Sequence, residues 1–156
     1  SDLANSLGNL LNRGLAMIWK FRNGAVTRAP NPPAGLQLDT ADAVAAVGSA
    51  LRLASNCNER IDAEKPWVLA KDASKSEQLD ALLYHLAESL RIIAILISPV
   101  LPKAAHGIFD QLNWKPELSG NDERFSLADA EWGKLPDGHV VGKPTPLFPR
   151  IEQAEH

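Results

Sequence analysis

The stretch Leu79-Asp80-Ala81-Leu82-Leu83-Tyr84-His85-Leu86-Ala87-Glu88-Ser89-Leu90-Arg91-Ile92-Ile93-Ala94-Ile95-Leu96-Ile97-Ser98-Pro99 decides the fold class. Leu79, Leu82, Leu83, Leu86, Leu90, Ile93 and Ile97 recur at three- and four-residue steps, the spacing of one face of an α-helix. Its last turns are apolar almost all round, which predicts a helix buried on several sides. Polar residues 72–76 start it, and Pro99, which has no amide hydrogen, ends it. A buried helix must be covered, and the flanking sequence supplies covering elements of the same kind.

Upstream lies Glu64-Lys65-Pro66-Trp67-Val68-Leu69-Ala70-Lys71. Proline disfavours the α conformation in the residue before it, so a helix running to about Asp62 breaks here, and residues 68–71 continue as a short helical turn. That preceding helix is capped by Asp39 or Thr40 and carries Val44, Val47, Leu51, Ala54 and Ile61 on its expected core face. Its Gly48 weakens it by about 1 kcal/mol relative to alanine without ending it. Asn56 and Asn58 sit near its C-terminal end, where asparagine side chains satisfy loose backbone groups. Trp67 is presented at a helix end, either as a plug between two helices or as an indole face held out for a ligand.

The N-terminal residues form another amphipathic helix, with Leu3, Leu7, Leu10, Leu11, Ile18 and Phe21 on its apolar stripe. Ser1 or Asp2 caps it, and Asn23-Gly24 closes it. At 100° per residue Asn9, Arg13 and Lys20 fall within about 40° of one another, far from the stripe. Solvation alone accounts for such an edge. Residues 29–38, with Pro30, Pro32, Pro33 and Gly35, read as a loop. Downstream, Pro102 opens a fourth helix to about Leu112, with Ala105, Ile108, Phe109 and Leu112 inward. Beyond Trp114 the pattern fades, and only Val140-Val141 and residues 147–151 look apolar enough to dock. The reading is an all-α helical bundle over residues 1–113 and a long, mostly irregular tail over 114–156. The tail packs back on the bundle or on a part not included in this sequence.

At 156 residues the chain suits one domain. A net charge of -3 excludes a whole-protein basic field, so any nucleic-acid site must be local. Residues 1–30 are the local exception, with Arg13, Lys20, Arg22 and Arg28 against Asp2. The single cysteine, Cys57, excludes an internal disulfide and a cysteine-rich zinc site, and reads as a small buried hydrophobe. No apolar run is long enough to span a membrane. The sequence opens without methionine in what is already a helix start, as expected of a piece cut from a longer protein.

Catalytic constellations are missing. There is no glycine-rich phosphate loop and no metal-ligand spacing, and His85, His106, His139 and His156 are scattered. His85 reads as a partly exposed helix residue, and the carboxylates of Asp122 and Glu123 as solvated. What remains is a binding surface: an aromatic at a helix end and a polar edge of amide, guanidinium and ammonium. Single-stranded RNA is read with these tools, by stacking on the aromatic and bonding to base edges.

Four motifs carry a resemblance. Asp2-Leu3-Ala4-Asn5 with Leu7-Gly8-Asn9-Leu10-Leu11-Asn12-Arg13 resembles the opening of the anticodon-binding domain of methionyl-tRNA synthetase, a class I aminoacyl-tRNA synthetase. Asn58, Ile61-Asp62 and Lys65-Pro66-Trp67-Val68-Leu69-Ala70-Lys71 are similar to that family's segment around its anticodon tryptophan. Leu86-Ala87-Glu88-Ser89-Leu90-Arg91-Ile92-Ile93-Ala94, with Ser98-Pro99 and Leu101-Pro102, resembles its core helix and the following turn. Val141-Gly142-Lys143-Pro144 and Pro146-Leu147-Phe148-Pro149-Arg150-Ile151 resemble its C-terminal tail. The resemblance implies a bundle that recognises the CAU anticodon of tRNA(Met). In that role Trp67 stacks on the first base, Asn9 and Arg13 bond anticodon edges, Pro66 fixes the approach of the indole, and Asn58 and Lys20 support.

The resemblance also implies a cytoplasmic parent, methionine–tRNA ligase, that uses ATP, and in some cases zinc, in a catalytic part whose HIGH and KMSKS motifs are absent here. The fragment itself is then non-catalytic and without cofactor or metal, and its tail meets that catalytic part. Alternatives are the related domain of the isoleucine, leucine, valine or cysteine enzymes, or a helical protein–protein adaptor with Trp67 in its core. The family commonly has a further short helix where residues 25–39 stand, too few here to form it. The bundle is therefore one helix short on that side, or the loop covers the gap.

Overall fold

The computed structural model describes residues 2–120 and 124–146, with side chains from residue 5 onward. The expected N-cap Ser1, the Leu3 side chain, Asp122, Glu123, the apolar run at 147–151 and His156 lie outside the described residues. The helices are α1 (Asp2–Arg22), α2 (Ala43–Glu64), α3 (Pro66–Leu69), α4 (Ser76–Ile97), α5 (Pro102–Leu112) and α6 (Pro116–Ser119), with 3-10 turns at Ala73–Lys75 and Leu127–Ala130. The only pairing of β type among the described residues is an isolated antiparallel bridge between Ala25 and Val140. The expected all-α bundle is the observed one.

The helix that decided the fold class is its centre. α4 packs on α1, α2, α3 and α5, and every residue from Leu86 to Ile97 is buried. α1 contributes Leu7, Leu10, Leu11, Leu15 and Ile18 to the same core, and α5 contributes Ala105, Ile108, Phe109 and Leu112. α1 ends as its sequence requires: Asn23 and Gly24 take φ of 54° and 86°, and their amides return to the carbonyls of Trp19 and Ile18. A Cβ on Gly24 would sit 2.6 Å from the Trp19 ring, so glycine is needed for space as well as for φ.

α2 departs from expectation in three ways. Its cap is Asp42, whose carboxylate accepts the Ala45 amide at 2.8 Å. Asp39 is occupied elsewhere, because its backbone amide and carbonyl both bond the Ser49 hydroxyl. Its inner face is Ala46, Ser49, Ala50, Leu53, Ala54, Cys57 and Ile61, while Val44 is 83% exposed and Leu51 43%. Alanines permit close approach to α4, so packing distance rather than side-chain size chose the face. Its end falls at Glu64 rather than near Asp62, and Lys65 closes it in the left-handed region. No helix forms between α1 and α2. The loop lays Ala29, Leu36 and Leu38 against the core but leaves two open clefts against α2, of about 780 and 610 Å³.

The tail residues 124–146 are built into the bundle. Trp114, Leu135 and Val141 are buried in the common core. Val26 and Gly24 exchange backbone bonds with Gly138, His139 and Val141, and the Trp19 indole donates to Gly142 O at 3.0 Å. A Cβ on Gly142 would meet Gln111 O at 2.8 Å.

The strongest attachment lies beneath the tail. Glu88 and Arg91, one turn apart on α4, are fully buried. Arg91 donates Nε to Glu88 Oε1 at 2.6 Å and Nη2 to Oε2 at 2.9 Å. Its remaining N–H groups reach the Asp129 and Glu131 carbonyls, and its guanidinium lies 4.9 Å from the Trp114 ring centre. Glu88 Oε2 also accepts the amides of Gly133 at 2.6 Å and Lys134 at 2.7 Å. Removing one partner strands the other charge in the core. Glu88→Ala is therefore expected to lower the unfolding free energy by about 3–5 kcal/mol, read as a lower urea midpoint at unchanged slope. A loss below about 1 kcal/mol, the scale of a surface pair, would show that the pair does not carry the tail.

Candidate nucleic-acid interface

Two of the candidates read from the sequence, Pro66 and Trp67, stand at the α2–α3 junction, and the backbone there explains why the first is buried and the second exposed. Lys65 serves both helices at once, with φ 52° and ψ 73°. Its amide donates to Ile61 O at 3.0 Å, closing α2, and its carbonyl accepts from Val68 and Leu69, opening α3. Pro66 fits the first position of α3, where the missing amide costs nothing, and its ring is buried. Trp67 follows on the outside of that single turn and is 44% exposed, with Val68 at 50%. Leu69 points back into the core.

The other tryptophans show what an anchored indole looks like here. Trp19, Trp114 and Trp132 donate their indole N–H to Gly142 O at 3.0 Å, Arg124 O at 2.6 Å and Ala29 O at 2.9 Å. Trp67 makes no such bond among the described residues.

Arg13 on α1 reaches the same end of α2. Its Nη1 donates to Asn58 Oδ1 at 3.5 Å and its Nη2 lies 3.9 Å from Asp62 Oδ1. Asn58 and Asp62 are one turn apart, and Asp62 stands five residues before Trp67. Asn58 thus acts on a side chain of another helix rather than on its own backbone. Asn9 is exposed one turn before Arg13 on the same side of α1. Lys20 is also exposed, but it is two turns further on, with its ammonium over Phe21 at 5.7 Å, and it joins none of these contacts.

The local excess of cations is smaller than the sequence implies. Arg22 is tied to Asp80 at 2.6 Å and to the Ser76 hydroxyl. Arg28 bonds Gly133 O, and its amide bonds Asp137. Arg13 faces the 76% exposed Asp62 carboxylate at 3.9 Å. What residues 1–30 present is therefore a directional guanidinium, with Lys20 further along α1, rather than four free cations.

Sequence reasoning missed Arg60, which bonds Glu64 Oε2 at 2.7 Å, one residue before Lys65, and also meets Nδ1 of His85 on α4. The i, i+4 spacing to Glu64 was the available signal; the partner on α4 was not. His85 is half-buried, as expected, with its ring edge-on to Trp132 at 5.2 Å. Burial against α4 pushes the Cys57 thiol up to about 11, and burial likewise raises the Tyr84 phenol, whose hydroxyl bonds Leu135 O at 2.8 Å. Among the described residues no cluster of His, Cys, Asp and Glu is placed to hold a metal ion, and no helix is long and apolar enough to cross a membrane.

A helical bundle that exposes an aromatic at a helix break, with an arginine of another helix reaching the last turns before that break, has the form of a helical binding domain. Comparison with known proteins makes the class specific. A family model for the anticodon binding domain of methionyl tRNA ligase matches residues 36–156. Methionine–tRNA ligases of Bacillus subtilis and Enterococcus faecalis are 40% and 38% identical over 99% and 97% of this chain. The chain spans about a quarter of their length, 25% and 24%. The free-state crystal structure of Mycobacterium tuberculosis methionyl-tRNA synthetase superposes with a TM-score of 0.68 and 31% identity, over 97% of this chain and 33% of that one. The chain belongs to the family of anticodon-binding domains of methionyl-tRNA ligase. The family model begins after α1, so the relatives, not the model, extend the similarity to Asn9 and Arg13.

The thiol provides a check on this packing. A thiol raised to about 11 carries almost no thiolate at pH 8. Cys57 should react with an aromatic disulfide reagent at pH 8 only as the chain unfolds, at a rate that rises with urea. Fast stoichiometric reaction of the folded chain would place Cys57 outside the α2–α4 contact.

Proposed function

We propose that the face made by α1, the end of α2 and α3 receives the anticodon loop of tRNA(Met). Trp67 stacks on the first base of CAU, and Asn9 and Arg13 bond the edges of anticodon nucleotides. Pro66 fixes the direction of the indole, Asn58 steadies the Arg13 guanidinium, and Lys20 adds charge further along α1. The observation that carries this reading is the exposed Trp67 at the Lys65-Pro66 break, in a chain whose other three indoles are each pinned to a carbonyl, with Arg13 reaching Asn58 and Asp62 on the turns before that break.

The magnitudes suit recognition. A stacked base contributes about 1–3 kcal/mol, and a hydrogen bond to a charged group about 1.5–3 kcal/mol. A wrong first base loses a few kcal/mol, on the order of a hundredfold in binding.

The parent is a cytoplasmic methionine–tRNA ligase that joins methionine to tRNA at the expense of ATP. ATP, and zinc where present, belong to the part of the parent outside this chain. Residues 1–113 are the recognition bundle, and residues 114–156 carry it against the catalytic part. In the parent enzyme, Trp67→Ala is expected to lower kcat/KM for tRNA at least tenfold, given the stacking energy above. Methionine-dependent pyrophosphate exchange, which needs no tRNA, should stay within about twofold, close to no change in barrier. Equal losses in the two assays would sink the stacking role.

A further inference from the structure

We propose that Lys65 contacts a phosphate of the RNA strand whose base stacks on Trp67, and that lysine is kept there at the expense of folding stability. The proposal rests on the reading of Trp67 given above and adds a backbone contact to it. Among the described residues, those other than glycine with left-handed φ are Asn23 at 54°, Asn113 at 56° and Lys65 at 52°. Asparagine tolerates that region because its short polar side chain bonds locally, whereas in other residues Cβ crowds the following carbonyl. Lys65 also precedes a proline, whose ring favours extended backbone in the residue before it. The α2–α3 junction needs a left-handed residue, as the ends of α1 and α5 do, but here the sequence supplies one poorly suited to that conformation.

No contact among the described residues accounts for the lysine. It is exposed, and its ammonium has no ion-pair or hydrogen-bond partner among them. The nearest carboxylates along the chain are taken: Glu64 holds Arg60 Nε at 2.7 Å, and Asp62 lies 3.9 Å from Arg13. A cation gains from the negative end of a helix, but Lys65 closes α2 and opens α3 at once, so the two helix ends act on it with opposite sign. Backbone strain that no internal contact offsets points to a role outside the fold.

Position supplies that role. Lys65 and Trp67 are two residues apart, so their Cα atoms lie within about 7 Å of each other. A base stacked on Trp67 brings its flanking phosphates into the same neighbourhood, within reach of a flexible four-carbon stem that ends in a compact cation. Stacking holds the base, and the ammonium neutralises the strand that carries it.

The test sets folding against binding. Lys65→Gly and Lys65→Asn relieve the backbone, so each is expected to raise the urea midpoint of this chain, by about 0.3–0.5 M for glycine. In the parent enzyme both should weaken tRNA binding about fivefold at about 50 mM salt and match the wild type at about 500 mM. One phosphate contact on a single strand contributes a slope of about 0.7 in log K against log salt, and a tenfold change in salt then removes about that factor. Lys65→Arg keeps the charge and should restore both the affinity and the slope. Trp67→Ala should instead lose the same factor at both salt concentrations, because stacking releases no counterions. A lower urea midpoint in both Lys65→Gly and Lys65→Asn shows the lysine to be structural and overturns the proposal. Wild-type affinity of Lys65→Asn at low salt overturns it too, as does a loss in Lys65→Asn that persists at high salt. A Trp67→Ala enzyme with normal tRNA affinity sinks the stacking reading, whereas an impaired one beside a wild-type Lys65→Asn sinks only the phosphate contact.

Discussion

The Glu88–Arg91 pair is the constraint on which the rest of the structure depends. Two opposite charges with no solvent exposure are tolerated only because each remaining hydrogen-bonding position is filled, and the partners that fill them belong to residues 129–134. A segment that contributes few apolar residues is thereby fixed on the central helix by backbone groups. From that anchor the chain continues to Leu135, the bridge at Val140 and the close approach of Gly142 to Gln111, and so closes over the end of α1.

 Leu135 and Val141 add burial to that charged anchor, and backbone bonds to Val26 and Gly24 complete the wrap.

That rigidity has a counterpart at the opposite kind of site. Three tryptophans are each used as a brace between tail, loop and helix, with the indole N–H satisfied by a carbonyl. Trp67 is withheld from that role by Lys65 and Pro66, which turn the backbone so that Leu69 enters the core and Trp67 does not. An exposed indole contributes less to folding than a buried one, and a left-handed lysine is strained. A compact bundle around α4 offsets both costs and leaves one aromatic free for a ligand.

Most of the fold was legible because α4 is nearly all apolar and its neighbours keep helical spacing. Pro66, Pro99 and Pro102 fix the boundaries around it, and Asn23-Gly24 ends α1 as a short-range signal should. The face of α2 was read correctly at Ala54 and Ile61 but misread at Val44 and Leu51, because size was taken as the guide: both are larger than Ala46 and Ala50, yet it is the alanines that are buried. The cap moved to Asp42 because Ser49, ten residues away, claims the Asp39 backbone. Of the candidate site, Trp67 and Pro66 could be located from local rules. The meeting of Arg13 with Asn58 and Asp62, and of Arg60 with His85, are contacts between separate helices that no local pattern encodes.

Electrostatics finally bears on how such a face would work. With Arg22 and Arg28 engaged internally and Arg13 opposite Asp62, the outward cations of α1 reduce to Lys20, while Lys65 and Lys71 stand exposed before and after Trp67 in the chain. Non-specific attraction to a phosphate backbone grows with the number of phosphates neutralised, so a surface with only a few exposed lysines gains modestly from it. Stacking and hydrogen bonds to base edges act only at close range and only on the right partner. On the proposed reading, the domain discriminates between anticodons without holding tRNA tightly by itself. The contacts that hold the rest of the tRNA then fall to the remaining three quarters of a protein of its relatives' length.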